Sequence, residues 1–578
     1  MIRYSFLFVT LVLSWTLAGE LWAQEEKKVT FGGAGRFWME NNSIDGDALE
    51  GDTTTATREM GGYALFDLGI TIRPGKNAEI VAITRFNSEL DGFWGAGITT
   101  DIRQLTARGL IKEKVRYKVG DLNTAFTPYT MYNFRPELRV NEASIFRNFE
   151  EIINYENFYQ DSTWRQQGAE FDFALAFPKG IKELSFRGLI AKNRQTDFFF
   201  RPDRIFGAAQ VGINQGTYGR VDLTYVNLFE LAPSAMFSDA TSMNQVMSAR
   251  YDMGMDKENS YLGIVGEAGL SGVMYENQAA TETIEDLEDS FLEVGLRGKL
   301  KKSGLMGTLS FVDVGPEFRS AAAQTRRLDV TAPSGAFTRI GNEERVRPMS
   351  MGDIITDRNV YSRTFGPLLG NFLPYLENVQ PFGAATPNRR GITLNVQYDG
   401  DSAGIFGAFV NTALLSEIRG QGTTELRDFT KVWGGVTARL HRIYGGKQKL
   451  IFTAGASYQS TARDGVEGVD AVDLSTTFVE SGLEYEVFSG MDLLGGVKFL
   501  SSEGNEFLNQ RDAFDATTFY NQYSVDLTET FFAGGFRYNF NETVFLTLQG
   551  HFSTIEDNLT QRNSFDLNRV LIVYNMFF

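Results

Sequence analysis

The chain closes on Asn568-Arg569-Val570-Leu571-Ile572-Val573-Tyr574-Asn575-Met576-Phe577-Phe578, and Val570, Ile572, Tyr574, Met576 and Phe578 recur at every second position. One segment earlier, Val544, Leu546, Leu548, Gly550 and Phe552 share a face, and Thr547, Gln549, His551 and Ser553 take the other. Earlier still, Phe532, Phe536, Tyr538 and Phe540 lie opposite Glu529, Arg537 and Asn539. Period two with one apolar and one polar face describes strands that have oil on one side and water on the other.

The same alternation recurs through the interior. Ala64, Phe66, Leu68, Ile70 and Ile72 alternate with Asp67, Thr71 and Arg73, while Leu292, Val294, Leu296 and Leu300 alternate with Glu293, Arg297 and Lys299. Ten short polar turns, from Pro74–Asn77 to Phe540–Thr543, each separate two such segments. Gly, Asn, Asp and Pro dominate them, as hairpin geometry demands. With a leading strand from about Lys28 and the closing strand, the count is twenty-two, within a range of twenty to twenty-four. The connections between hairpins are longer: Asn41–Met60, Glu89–Ile102, Asn123–Thr163, Glu276–Asp289, Arg319–Arg390, Ser501–Ser524 and Glu556–Ser564.

Short turns on one side and long loops on the other resemble bacterial outer-membrane β-barrels. A final strand ending in Phe, with Tyr574, Met576 and Phe578 on its apolar face, resembles their assembly signal. The expected fold is therefore all-β: a closed antiparallel transmembrane β-barrel in the bacterial outer membrane. The resemblance implies periplasmic turns, extracellular loops and, from the even count, both termini in the periplasm. Lipid and the barrel-assembly machinery are the partners it implies. In size the chain also resembles TonB-dependent transporters, which carry a plug domain ahead of the barrel. Only Gln24 to Lys27 stand between the expected cleavage site and the first strand, so no such plug and no energised uptake are expected.

Composition agrees. Residues 1–23 read as a secretory signal: Arg3, an apolar core from Phe6 to Leu13, and a small-residue end at Ala23. The barrel then occupies 24–578. No Cys occurs, which excludes a disulfide framework. No other segment reaches the roughly 20 apolar residues of a membrane helix. The 48 Phe, 22 Tyr and 59 Gly suit aromatic girdles and tight turns. A formal charge of -17 argues against nucleic-acid binding.

Parity places Asp67, Arg73, Glu79, Arg85, Glu170, Asp172, Arg187, Glu293, Arg297, Glu529 and Arg537 on the inner wall, with Arg108, Arg116 and Lys118 beside them. Both signs on neighbouring strands point to cross-strand pairs facing water. The longest loop, Arg319–Arg390, holds six of thirteen Pro and ten Arg against six acids, a balance of +4. It is expected to fold into or over the lumen. Its Arg326, Arg327, Arg339, Arg345, Arg347, Arg358 and Arg363 would form a constriction favouring anions. The loop Asn123–Thr163 contains a helix-like piece capped by Asn141, with Ile145, Phe146, Phe149, Ile152, Ile153 and Phe158 at helical spacing. Its aromatics read either as a partner platform or as a small core on the barrel rim.

Catalytic readings are weak. Only two His occur, and the His551-x-Ser553 pair has no orienting third residue. No enzyme activity, cofactor or metal is expected. The favoured function is a large passive channel for polar or anionic solutes. The alternative is a non-transporting barrel in a secretion or assembly complex, binding other envelope proteins through aromatic loops 123–163 and 319–390.

Overall fold

The computed structural model describes residues 28–46, 57–90, 97–135, 138–157, 162–216, 218–236, 240–277, 282–325, 349–356, 373–400, 404–511, 517–560 and 564–578. Twenty-two strands form one antiparallel sheet. The first half comprises β1 Val29–Asp45, β2 Arg58–Gly75, β3 Ala78–Glu89, β4 Thr99–Ile111, β5 Val115–Thr124, β6 Trp164–Ala176, β7 Glu183–Arg194, β8 Asp203–Asn214, β9 Arg220–Leu231, β10 Ala240–Asp256 and β11 Ser260–Asn277. The second comprises β12 Glu282–Leu300, β13 Leu305–Val314, β14 Arg389–Tyr398, β15 Phe406–Ser416, β16 Asp428–Arg439, β17 Leu450–Arg463, β18 Val472–Phe488, β19 Met491–Arg511, β20 Thr517–Asn539, β21 Val544–Asp557 and β22 Phe565–Phe577. Each strand pairs with the next, and β1 pairs with β22 from Ala34↔Phe577 to Asp45↔Asp566, which closes the cylinder. All ten short turns fall between the strand pairs expected of them.

The face assignment is decisive. Leu270, Leu296 and Phe532 are 64%, 58% and 54% exposed, whereas Lys498, Glu480 and Asp67 are 1%, 1% and 0%. Large apolar side chains stand outside and charged ones inside, the reverse of a water-soluble sandwich. A closed sheet leaves no unpaired backbone edge for hydrocarbon to meet, which is what lets strands span a membrane. The last residue belongs to the seam. Phe578 exchanges backbone hydrogen bonds with Gly33 at 3.0 and 3.2 Å, and its ring stacks on Phe66 at 5.6 Å. Tyr538, Phe540 and Tyr574 form an aromatic cluster beside the β20–β21 turn, with Phe540 4.9 Å from Tyr538 and 6.3 Å from Tyr574.

Two loop boundaries differ from expectation. The connections placed at Glu276–Asp289 and Ser501–Ser524 are largely strand, since β12 begins at Glu282, β19 runs to Arg511 and β20 begins at Thr517. Beyond the apolar belt a hairpin is wet on both faces, so its strands carry no alternating pattern to read. The signal segment lies outside the described residues.

Candidate functional site

Among the described residues, two short α-helices lie within the connections: α1 Ser144–Glu156 and α2 Met351–Thr356. α1 is amphipathic as expected, with Ile145, Phe146, Phe149, Ile152 and Ile153 buried. Asn141 does not cap it. The N-cap is Ala143, with no side-chain capping bond. Asn141 instead donates its amide to the Val436 carbonyl at 2.8 Å and the Ala454 carbonyl at 3.1 Å, both on the barrel wall.

That wall is shaped to receive it. Gly435, Gly455, Gly482 and Gly496 lie on β16 to β19, and Gly435 pairs with Gly455 as Gly482 pairs with Gly496. A Cβ on Gly455 would come within 2.9 Å of Val140 Cβ, and one on Gly496 within 2.6 Å of the Phe146 ring. Cβ atoms on Gly435 and Gly482 would strike Asn141 and Ala143. The four glycines form a trough in which the segment before α1 lies directly against strand backbone.

Charge completes the seat. Glu480 of β18 accepts hydrogen bonds from the Val140 and Asn141 backbone amides. Lys498 of β19 pairs with Glu142 and lies 3.3 Å from Glu480, all three side chains being buried. At the other end, the helix C-terminus meets β1 to β4. Glu156 pairs with Arg36 and accepts from Tyr63 Oη at 2.6 Å, and Arg85 donates to the Glu156 carbonyl at 3.2 Å. Tyr155 Oη donates to Asp67 at 2.8 Å, and the Arg103 guanidinium lies 3.6 Å from its ring centroid. Cations at a helix C-terminus complement its dipole. Between the ends, Phe146 meets Phe531 at 5.4 Å, and Phe149 meets Trp38 at 5.4 Å and His551 at 5.6 Å.

The rest of the lumen is crossed in the same manner. Thr127 donates to Glu267 at 2.7 Å and Tyr129 to Glu293 at 3.0 Å. Trp164 donates its indole N–H to the Ala322 carbonyl at 3.1 Å. α2 packs on α1; Met351 N–H donates to Glu529 at 2.8 Å, and Arg569 faces Asp353 at 3.6 Å. Asn378 donates to Thr461 at 2.7 Å and Glu506 at 2.8 Å. One apolar cluster joins these segments to wall residues from opposite sides, among them Phe206, Phe291, Phe478, Phe531 and Leu571. The inner face is thus not wet throughout. At mid-height it packs against infolded protein, and for this reason Phe531, Leu571 and Val573 occupy inward positions.

The predicted wall residues are placed as follows. Arg85 makes a bidentate pair with Asp67 at 2.8 Å, and Arg103 joins it. Arg73 and Arg108 share Glu79. Arg116 pairs with Asp172 and Arg187 with Glu170, each at 2.6 Å, and Arg297 with Asp252 at 2.8 Å. Arg537 lies 4.9 Å from the Phe545 ring centroid. Arg326, Arg327, Arg339, Arg345, Arg347, Arg358 and Arg363, and Phe158, lie outside the described residues. His551 and Ser553 do not engage each other: Ser553 donates to Glu529 at 2.9 Å, and His551 contacts Gln549 at 3.1 Å. Glu480, Lys498, Glu142 and the glycine trough went unread in the sequence. Parity alone would have turned Glu480 and Lys498 inward.

Toward the short-turn rim the lumen opens into a cavity of about 910 Å³ on the inner wall of β2 to β9, lined by seven cationic and four acidic side chains. Arg187 of its lining reaches the start of the infolded segment, donating to the Ala125 carbonyl at 3.0 Å and lying 4.6 Å from the Phe126 ring centroid.

The seat of α1 also carries a pH dependence. Burial, with repulsion from Glu150 and Glu480 and opposed by Lys498, pushes the Glu142 carboxyl up to about 8 from an ordinary 4.5. Burial works against Glu150 as well, but Arg139 and Arg135 overcome it and hold that carboxyl down to about 2. Between 4.5 and 8 docked Glu142 holds a proton that the undocked carboxyl has lost, so docking weakens as pH rises through that window. Glu150 acts oppositely, its contribution being full above 4.5 and lost toward 2. Hydrogen exchange of the α1 amides, corrected for base catalysis, is expected to show roughly a hundredfold more opening at pH 9 than at pH 6. Glu142→Gln should flatten that dependence.

A closed antiparallel cylinder with apolar rows outside and charged rows inside is the architecture of outer-membrane β-barrels, and the chain is an integral barrel of this class. No known protein-family profile and no curated protein matches its sequence. Among solved structures it is similar to Pseudomonas aeruginosa OccK5 (OpdH), at 10% identity over 96% of this chain and 99% of that one, with a TM-score of 0.36. It is likewise similar to OpdL of the same organism (10%, 96% and 99%, 0.35) and to a BenF-like porin from Pseudomonas fluorescens Pf-5 (10%, 96% and 99%, 0.33). At these scores the likeness carries no information about solute or mechanism.

Proposed function

We propose that the chain is a passive outer-membrane channel for small polar or anionic solutes, held plugged by its own infolded segments. The observation that carries this reading is the cavity of about 910 Å³, lined by seven cationic and four acidic side chains, in a chain whose formal charge is -17. Local positive potential in a narrow wet passage concentrates anions. In this reading the short turns and both termini are periplasmic, and Tyr574, Met576 and Phe578 are what the assembly machinery reads. The connection 319–390 narrows the lumen, and Arg326, Arg327, Arg339, Arg345, Arg347, Arg358 and Arg363 add positive charge to the passage. Its described flanks support this, since Arg319 N–H donates to Ser271 of β11 at 3.0 Å and Asn378 reaches β17 and β19.

The scaffold reading is favoured by one observation: the apolar cluster that joins opposite walls through the infolded segments. Planar-bilayer recording of the full-length protein and of a Pro333–Pro387 deletion separates the two. Resolved unitary conductance, increased by the deletion and selective for anions, supports the channel. Silence in both proteins supports the scaffold.

A further inference from the structure

We propose that Arg108, Lys118 and Arg116 form an oxyanion-binding subsite in the cavity at the short-turn rim, built for a diffusible solute carrying two or more carboxylate or phosphate groups. This deepens the channel reading by naming its solute class. Arg108 and Lys118 stand directly opposite each other on β4 and β5, on the same inward face. Like charges at directly opposed positions of a sheet destabilise it. Arg108 turns one edge to Glu79, leaving its side chain 58% exposed. Lys118 makes no hydrogen bond or ion pair to any described residue. The carboxylate opposite it on β6, Glu170, is already held by Arg187 and Thr124. One register further, Arg116 pairs with Asp172 yet remains 73% exposed. The wall thus keeps two directly opposed cations, Lys118 being balanced across the strand by Glu170 without bonding to it, beside Arg116, whose guanidinium stays largely exposed. Bidentate N–H edges around a mobile ammonium suit planar carboxylates and phosphates. The volume admits a small polyanion with part of its water, and three residues of strand separate Lys118 from its turn, roughly 10 Å of depth. The barrel wall stands between the cluster and the bilayer, so the ligand comes from solution and not from a lipid headgroup.

The test is isothermal titration of citrate, with acetate for comparison, into the full-length protein in detergent. The proteins are wild type, Lys118→Gln, Lys118→Glu and, as a remote control, Lys257→Gln. Saturable citrate binding is expected, at least tenfold tighter than acetate. Lys118→Gln should weaken it at least tenfold, Lys118→Glu should abolish it, and the control should leave it unchanged. The introduced carboxylate would face Arg108 on one side and Glu170 on the other, so the folding of each variant is checked by its heat-modifiable mobility. Citrate affinity equal in all four proteins, or no saturation in the wild type, overturns the subsite. Bilayer conductance is read separately on the same proteins. Conductance without citrate binding removes the subsite and leaves the channel, whereas citrate binding without conductance retains the subsite and removes the channel.

Discussion

Replacing Leu138–Asn157 by a short Gly-Ser linker is expected to raise single-channel conductance roughly tenfold, because a barrel of this strand number encloses a wide lumen once its filling is removed. The excised stretch holds α1 and the residues seated in the glycine trough. Every wall contact it makes is by side chain or across a close backbone approach, and none belongs to the strand ladder. The closing β1–β22 register and the remaining pairings do not involve it, so the cylinder should assemble without it. A point change makes the same case more gently. At Gly482 an added Cβ meets Ala143, so Gly482→Val should displace the segment and give flickering openings where the wild type is steady. Wild-type conductance in the excised variant, with the barrel folded by its heat-modifiable mobility, would show that α1 does not obstruct the passage.

Lys498→Met is expected to carry the largest energetic effect of any single substitution at the plug, roughly 3–5 kcal/mol of docking stability. Its ammonium is fully buried between Glu142 and Glu480, and Glu480 also holds two backbone amides of the incoming segment. Removing the cation leaves the buried Glu480 carboxylate without compensation beside the protonated Glu142, and an unpaired buried charge costs far more than the intact pair contributes. The loss should appear as proteolytic cleavage within 138–157 and as faster exchange of the α1 amides, with the strand amides unchanged. Adding Glu142→Gln should change the loss little at pH 7, since docked Glu142 is already protonated there. Equal protease resistance in wild type and Lys498→Met would show that the segment is held by the trough and the Phe146–Phe531 and Phe149–Trp38 contacts alone.

The sequence by itself determined the cylinder. Alternation in β20, β21 and β22, ten polar turns and the even count are local properties, because a strand in hydrocarbon must show oil to one side at every second residue. The charges at Asp67, Glu79, Arg108 and Asp172 could be turned inward by the same arithmetic, and the cross-strand pairs they form followed from it. Only the tertiary structure decided what the inward face meets. Whether Glu480 touches water or the amides of Val140 and Asn141 depends on a loop more than three hundred residues away in sequence, and no periodicity encodes that distance. For the same reason Asn141 could be read as a helix cap, though its amide belongs to the wall. Gly435, Gly455, Gly482 and Gly496 look like ordinary strand glycines until neighbouring strands bring them side by side and another stretch of backbone lies across them. Parity is a property of one strand, whereas a plug is a property of which strands face each other across the barrel.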